Sequence, residues 1–437
     1  MKNFLYFCLI LLCAASLVCC DFNGMNNNEE EDDPTSGLEF YFKGDEYSVT
    51  GFSGRQETVE IPEEYQGLPV TSIGEKAFIS SHIIGIVIPD TITDIGAEAF
   101  RHCYNLTSIT LPEGVTQIKD SCFLDCEALE SVTIKGAVTS IGARAFKNCE
   151  MLTQFDFPQS LTEIGSEAFF GSALMSVQLP DSVTEIGDSA FCRCSYLESV
   201  NIPEGVTVIN ESVFSETAIE TITIPQGVTS IGGAAFWNCK ELTSVTIPDS
   251  VTHIGNNAFL DCTSIEYEVY EDNIKYLGNW VMGTTSTDIT SANLKSTTVG
   301  IYQQAFKDCE SLLTITLPNG LKKIGKEAFY RTGLTQITIP DNVTHIGNLA
   351  FDICSGLTTV IIGSGIEEIG DYAFHNSGGD GAVSIEINAE TPPQIGEKTF
   401  NRFKDNLKIY VNSDYINIYK SAQYWSFLAD KIYAIES

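Results

Sequence analysis

The sequence of 437 residues predicts a repeat solenoid, because one phrase recurs along most of its length. The segment "IGGAAFWNCKELTSVTIPDSVTHIGNNAF" (231–259) starts the same phrase twice, 23 residues apart. A unit this short cannot bury its apolar side chains alone, so stacked units must share one continuous core. The phenylalanine of the phrase recurs every 22 or 23 residues, at Phe78, Phe100, Phe123, Phe146, Phe169, Phe191, Phe214, Phe236, Phe259, Phe306, Phe329, Phe351 and Phe374.

The one longer step, of 47 residues between Phe259 and Phe306, contains a diverged repeat. Its segment "IKYLGNWVM" (274–282) matches "VTHIGNNAF", with Met282 in the phenylalanine position. The array is therefore predicted to run without interruption through 14 copies, and "IGEKTF" ending at Phe400 indicates a fifteenth. At about 4.8 Å per parallel strand, fifteen coils extend roughly 70 Å.

Each unit begins with a half-buried strand, as in "LTSVTIP" (242–248). Apolar and hydroxyl side chains alternate there, and Pro248 ends the strand because proline cannot donate to a ladder. "VTHIG" then predicts a second extended piece, and its Gly255 predicts a sharp turn that could use a left-handed backbone. Lys119 and Tyr302 occupy the same column, so that backbone is not obligatory. "NNAF" is expected to begin a short helical turn that returns the chain to the next strand.

These columns resemble a known family. "LTSVTIPDSVTHIGNNAFLDC" is similar to the 23-residue leucine-rich repeat of the BspA-type bacterial surface proteins. "YQGLPVTSIGEKAF" (65–78) resembles that family's entry segment, and "VNSDYINIYKSAQYWSFLADKIYAI" (411–435) resembles its C-terminal cap. The resemblance implies an entry segment at 39–70, a leucine-rich repeat solenoid of about 15 coils at 71–378, and the last repeat with its cap at 379–437.

The N-terminus predicts export. Lys2 precedes "FLYFCLILLCAASLV", an apolar run too short for a spanning helix, so residues 1–19 are interpreted as a signal peptide. "LVCC" (17–20) resembles a lipobox with Cys20 as the lipidated residue, although Cys19 and an ordinary secretory peptide stay open.

Residues 20–38 are polar and acidic without a hydrophobic period, which predicts a disordered tether. The acidic run resembles a surface-export signal of Bacteroidetes lipoproteins, and the alternative is a solvated spacer. We therefore expect an outer-membrane lipoprotein exposed on the cell surface.

Composition excludes several functions. A net charge of −34 argues against binding to nucleic acids or to anionic lipid. No second apolar run approaches 18 residues, so the lipid is the expected membrane contact. The chain contains no GxSxG, HExxH or P-loop motif, and we predict neither an enzyme nor a cofactor.

The cysteines are expected to be small buried thiols rather than disulfides. Eight of them lie three residues after the column phenylalanine, and Cys194, Cys309 and Cys354 have no column cysteine in either neighbouring repeat. If this column served to form disulfides, these three cysteines would have a partner in a neighbouring repeat. Cys122 and Cys192 form isolated pairs with column cysteines, so we predict no metal site.

The outward positions of the first strands form the main candidate binding face. Nearly all are uncharged hydrogen-bonding side chains, which suit strands in themselves and also suit extended partners of repeat proteins. The candidate residues are Ser108, Thr110, Ser131, Thr133, Ser199, Asn201, Thr221, Thr223, Ser244, Thr246, Thr314, Thr316, Gln336 and Thr338, with Gln154, Asp156, Ser176 and Gln178 continuing the face.

Two further features are candidates. The diverged segment "YEVYEDNIKYLGNW" (267–280) concentrates Tyr267, Tyr270, Tyr276 and Trp280, as either a local aromatic site or a lapsed copy. Ten prolines occupy the strand-ending position of Pro248 in their repeats. An acidic residue follows seven of them, which predicts a solubilising ridge, with calcium bridging as the alternative. The ridge residues are Glu63, Asp90, Glu113, Asp181, Glu204, Asp249 and Asp341.

We therefore predict a surface-displayed solenoid that binds a macromolecule without performing chemistry. The family resemblance implies adhesion to host matrix or cell-surface proteins, or to other bacteria. Capture of extended glycans is the first alternative, and the aromatic segment would then supply the sugar platform. A structural coat protein is the second alternative, and it predicts self-association.

Overall fold

The computed structural model describes residues 35–378, 382–400 and 407–435. They form a β-solenoid of about 16 turns with little helix, which confirms the predicted fold class. The predicted signal peptide, the lipidation residue Cys20 and nearly all of the tether lie outside the described residues.

Each regular coil contributes two short strands, which pair in parallel with the equivalent strands of neighbouring coils. We call the strands before the proline position the first ladder, and those before the glycine position the second ladder. The first-ladder strands are Thr58–Glu60, Gly85–Val87, Ser108–Leu111, Ser131–Ile134, Ser176–Val177, Ser199–Val200, Thr221–Thr223, Ser244–Thr246, Ser291–Asn293, Thr314–Thr316, Gln336–Ile339, Thr359–Ile362, Val383–Ile387, Leu407–Val411 and Ile432–Ala434.

Except for Leu68–Ile73, the second-ladder strands are two residues long, and all end at a buried isoleucine. In register, Ser230 pairs with His253 and Ile231 pairs with Ile254, so the sequence columns become columns in space. These strands are Leu68–Ile73, Asp94–Ile95, Gln117–Ile118, Ser140–Ile141, Glu163–Ile164, Glu185–Ile186, Val208–Ile209, Ser230–Ile231, His253–Ile254, Gly300–Ile301, Lys323–Ile324, His345–Ile346, Glu368–Ile369 and Gln394–Ile395.

The column phenylalanines stack face to face along the core. Phe236 and Phe259 have ring centroids 5.3 Å apart at an interplanar angle of 2°, and their neighbours repeat this geometry. Burial of each side chain stabilises the fold by about 2–3 kcal/mol, but only when the next coil covers it.

The segment after the glycine is a chain of tight turns, so the expected short helical turn is wrong. Phe100 N donates to Cys122 O of the next coil at 2.9 Å, whereas Cys103 N donates to Phe100 O of its own coil. This alternation commits every second N–H to a neighbouring coil, which a helix cannot do. Glu98 and His102 accordingly take positive φ values of 57° and 61°.

The column glycine serves close packing between coils rather than a left-handed turn. A Cβ on Gly187 would lie 2.5 Å from Ser166 N of the preceding coil. The positive φ falls two residues later, on Ser189. The expectation that the glycine itself could supply φ > 0 is therefore wrong in this coil.

The diverged repeat interrupts the array, contrary to the prediction. Ile274–Leu277 and Trp280–Thr284 form an antiparallel hairpin, with Glu268–Tyr270 as a third strand and a 3-10 turn at Glu271–Asn273. Trp280 and Val281 pair with Gly300 and Ile301, so this strand takes the second-ladder position. Met282 therefore does not enter the phenylalanine column.

We call this interruption the joint. Phe259 and Phe306 belong to two separate clusters of buried side chains that meet there. Side chains replace the usual backbone bonds: Phe259 N donates to the Tyr302 hydroxyl at 3.1 Å, and Asn257 N donates to Gln303 Oε1 at 2.9 Å. Lys323 Nζ donates to Ile254 O at 3.4 Å, and burial lowers the pKa of this lysine to about 8.

Each end of the solenoid carries additional elements. Leu38–Phe42 and Tyr47–Phe52 form an antiparallel hairpin at the start, and Glu64–Tyr65 pairs antiparallel with Leu68–Ile73. The final elements include the α-helix Ile416–Ser421 and the 3-10 helix Trp425–Lys431. Within the described ranges, no helix has the length and apolar character needed to cross a bilayer.

The ten described cysteines are buried and free, which confirms the thiol prediction. Cys239 Sγ donates to Phe214 O of the preceding coil at 3.0 Å, and most other column thiols do the same. Ser172, Thr217 and Thr332 stand in this column in the shortened copies, where their hydroxyls contact the next coil's sulfur. The column thus requires a small buried donor.

Candidate binding face

The first ladder presents its hydroxyl side chains to solvent. Thr221 pairs with Ser244 and Thr223 pairs with Thr246, whereas the alternating Ile222 points into the core. All the candidate residues are exposed except Asn201, which is half-buried. We call the exposed residues the hydroxyl face, namely Ser108, Thr110, Ser131, Thr133, Ser199, Thr221, Thr223, Ser244, Thr246, Thr314, Thr316, Gln336 and Thr338.

Side chains of the hydroxyl face make no hydrogen bonds within the described part of the chain. Threonines in other columns do. Thr243 Oγ1 donates to Glu220 O at 3.0 Å, and Thr162 Oγ1 donates to Thr139 O at 3.0 Å. The face therefore retains donors and acceptors for a partner.

Asn201 is the exception among the candidates. Its Nδ2 donates to Leu179 O at 2.8 Å, and its Oδ1 accepts from Leu179 N at 2.6 Å. These two bonds replace a piece of strand pairing between adjacent coils. Asn201 is therefore engaged within the fold rather than available to a ligand.

The face is also interrupted at residues 153–157, where no strand forms. Phe155 lies between Phe146 and Phe169 with edge-on contacts, and both centroid distances are 5.1 Å. These bulky rings occupy positions that carry smaller side chains in other coils. Gln154 and Asp156 are exposed within this break rather than in a strand of the first ladder.

The aromatic candidates do not form a surface platform. Tyr276 is fully buried and Trp280 is 1% exposed, and both belong to the core. The Tyr276 hydroxyl contacts Thr298 Oγ1 at 2.9 Å, and Trp280 Nε1 donates to Val251 O at 3.2 Å. Tyr267 and Tyr270 are half-buried. Tyr276 and Trp280 therefore stabilise the joint and do not form an exposed sugar platform, which leaves Tyr267 and Tyr270 as the accessible part of the aromatic segment.

The acidic ridge residues are all exposed. Asp90 contacts Lys135 Nζ at 3.0 Å, and Asp249 accepts from Asn279 Nδ2 at 2.6 Å. No group of three or more His, Cys, Asp or Glu side chains is arranged to hold a metal ion in the described portion.

A family model decides the identity of the repeat. The model of the BspA type leucine-rich repeat region, with six copies, matches residues 71–197, 162–287 and 284–406. The chain belongs to this family. BspA-type leucine-rich repeat proteins are bacterial cell-surface proteins, and leucine-rich repeats generally mediate binding between proteins.

Several of the solved structures that match this chain are bacterial leucine-rich repeat proteins. One from Bacteroides ovatus ATCC 8483 is 24% identical, with a TM-score of 0.46, and the match covers 86% of this chain and 98% of that one. A leucine rich cell surface protein from Faecalibacterium prausnitzii A2-165 is 25% identical, with a TM-score of 0.40 and coverages of 80% and 93%. The pneumococcal vaccine antigen PcpA is 19% identical, with a TM-score of 0.35 and coverages of 91% and 96%. No curated protein matches this chain.

Ion pairs on the turn side of the BspA-type repeats were not predicted from the sequence. Lys147 and Arg144 both contact Glu167 of the next coil, and Arg193 contacts Glu216 of the next coil at 3.0 Å. The Lys147 ammonium is the main cause that lowers the pKa of the Glu167 carboxyl. Opposite charges in corresponding columns of successive repeats are the signal that could have revealed these pairs.

Proposed function

We propose that this protein is a surface lipoprotein whose leucine-rich repeat ectodomain binds a macromolecule through the hydroxyl face. Its role is that of an adhesin for host matrix or cell-surface proteins, or for other bacteria. One observation carries the proposal: the outward hydroxyls of the first ladder are exposed and make no hydrogen bonds within the described chain. Repeat proteins use such extended faces to hold partners.

The hydrogen bonding of the hydroxyls supports a binding role over a purely structural one. If serine and threonine were present only to suit strands, their hydroxyls would be expected to bond across coils, as Thr243 and Thr358 do. Hydroxyls of the face are aligned in register but unbonded, so they offer a partner both donors and acceptors.

The anchor is part of the proposal. The basic start, the short apolar run and "LVCC" support lipidation at Cys20, with residues 20–38 as the tether of an outer-membrane lipoprotein that faces outward. Incorporation of labelled palmitate should be lost in Cys20→Ser and retained in Cys19→Ser. Protease treatment of intact cells should remove the ectodomain. Protection from protease would contradict outward display.

Binding is tested with the chain from Asp21 onward, which contains every described residue. It is applied to arrays of extracellular-matrix proteins and of polysaccharides, with and without calcium. The face variant carries Thr221→Lys, Thr223→Lys, Ser244→Lys and Thr246→Lys. A matched control adds four lysines at exposed positions outside the face, in the same two coils or the coil before them, namely Thr207→Lys, Gln226→Lys, Thr252→Lys and Asn256→Lys.

We expect saturable binding to a protein that the face variant loses and the control retains. Equal loss in both variants would show that added charge, not the face, is responsible. Binding to polysaccharides alone would contradict the adhesin proposal. Absence of binding on both arrays, together with self-association, would indicate a structural coat.

A further inference from the structure

We propose that the N-terminal half of the hydroxyl face binds a basic, extended segment of polypeptide, rich in lysine and arginine. The inference rests on the proposed function and names the chemistry of the partner. It concerns the coils that precede the joint, between residues 107 and 249.

The strand segments of these coils contain carboxylates but no cations. No lysine or arginine occurs in 107–113, 130–134, 153–158, 176–181, 198–204, 220–225 or 243–249. Lys135, directly after one segment, is already paired with Asp90 at 3.0 Å. The segments carry eight acidic residues, namely Glu113, Glu130, Asp156, Asp181, Glu198, Glu204, Glu220 and Asp249.

Apart from Asp249, these carboxylates make no ion pair or hydrogen bond within the described residues. The turn side of the same coils is arranged differently. Glu167 and Glu216 each contact a lysine or arginine there. The fold pairs these acids internally, whereas none of the eight acids beside the hydroxyl face has a cationic partner in the described chain; Glu163, Glu185 and Glu211, away from that face, are likewise without one.

The acids lie on both sides of the hydroxyls and in successive coils. Glu198 immediately precedes Ser199, and Glu204 is the last residue of the same strand segment. Glu220 N donates to Glu198 O at 3.3 Å, so these two glutamates start from neighbouring backbone positions. The two side chains carry the same charge, so a cationic partner is attracted to both, and their shared field steers its association.

The geometry of the face favours an extended polypeptide over a compact cation. Four neighbouring coils, from Ser176 to Ser244, cover about 15 Å at the strand spacing, which roughly five residues of extended chain span. Free hydroxyls along this track can bond the peptide groups of such a segment, while the flanking carboxylates take its lysine or arginine side chains.

The C-terminal half supplies an internal comparison. Its segments 290–296, 313–319, 335–341 and 358–364 contain one acidic residue, Asp341, and one lysine, Lys295, and the later first-ladder strands add Glu386 and Lys408. Thr314, Thr316 and Thr338 are nevertheless exposed as in the first half. The hydroxyl face continues past the joint, but its acidic borders do not.

The test uses the chain from Asp21 and a synthetic peptide of alternating lysine and serine, with a glutamate–serine twin as negative control. The face variant combines Glu198→Gln, Glu204→Gln and Glu220→Gln. The matched control combines Glu163→Gln, Glu185→Gln and Glu211→Gln, which are equally exposed, lack ion pairs within the described chain and lie away from the first ladder.

We expect saturable binding of the lysine peptide that weakens with salt, about tenfold loss in the face variant and less than about twofold loss in the control. Equal loss in both variants, or no saturable binding, would overturn the proposal. If the protein arrays give a ligand whose affinity is unchanged in this face variant, the proposed function stands and the basic partner is wrong. If the protein arrays give no ligand, the proposed function and the basic partner are both wrong.

Discussion

At the scale of single residues, the column glycine determines how closely two coils approach. A Cβ on Gly96, Gly165 or Gly187 would lie 2.3 to 2.5 Å from a backbone nitrogen of the preceding coil. Backbone atoms cannot move aside as a flexible side chain can, so the whole coil would have to shift. The next glycine in "IGG", Gly233, meets only Asn256 O at 3.4 Å.

Replacement of Gly187 by alanine should therefore reduce the free energy of unfolding by about 1–3 kcal/mol, the usual cost of overpacking. Gly233→Ala is the matched control, and it should change that free energy by less than about 1 kcal/mol. Denaturant unfolding of both variants, followed by circular dichroism, measures the difference. Equal destabilisation would mean that the close approach between coils does not explain the glycine column.

At the scale of elements, the joint connects two stacks that regular coils would have merged into one. The strands within residues 267–284 take the place of a coil. The backbone turn around Phe259 therefore forms hydrogen bonds with the side chains of Tyr302 and Gln303 instead of the backbone of another coil. A few side-chain hydrogen bonds there replace the backbone hydrogen bonds that join regular coils. We expect the joint to be the point where cooperativity between the two stacks is weakest.

Tyr302→Phe should leave the buried Phe259 N–H without a partner, at a cost of about 1–3 kcal/mol. Hydrogen exchange measured by mass spectrometry should accelerate in peptides covering 257–262. Tyr330→Phe is the control, because the Tyr330 hydroxyl makes no hydrogen bond among the described residues. Unchanged exchange in Tyr302→Phe would show that this bond does not support the joint.

At the scale of the whole molecule, the core contains acidic groups that must stay protonated. Burial raises the pKa of Cys103 and Cys194 to about 12 and that of Cys354 to about 11. It also raises the pKa of the Tyr302 and Tyr419 hydroxyls. Unfolding would return all of these groups to water, where they ionise at lower pH.

Stability should therefore fall at alkaline pH. Above the unfolded thiol pKa of about 8.5 the unfolded state binds fewer protons than the native state, so the free energy of unfolding decreases as pH rises. Each such thiol contributes a loss of about 1.4 kcal/mol at one pH unit above that value. Urea midpoints at neutral and alkaline pH measure the slope. Cys354→Ser should make the slope shallower, and a midpoint that does not change with pH would contradict the argument.

Much of the fold follows from local patterns in the sequence. Alternation in "LTSVTIP" correctly placed Ile247 inside and Thr246 outside, because side chains of a strand alternate between its faces. The 22- or 23-residue repeat period predicted the phenylalanine stack and the buried thiols, because every coil repeats the same environment. The exposure of the hydroxyl face could be predicted from the sequence for the same reason.

What the sequence by itself determined is the solenoid, its two ladders and the identity of the buried columns, because period and alternation are carried by neighbouring residues. The tertiary structure alone decided that the column glycine packs against another coil, that Asn201 bonds Leu179, and that Trp280 is buried in a hairpin. It also decided which carboxylates form ion pairs with lysine or arginine. Each of these depends on contacts between residues 20 or more positions apart, which a local pattern does not contain.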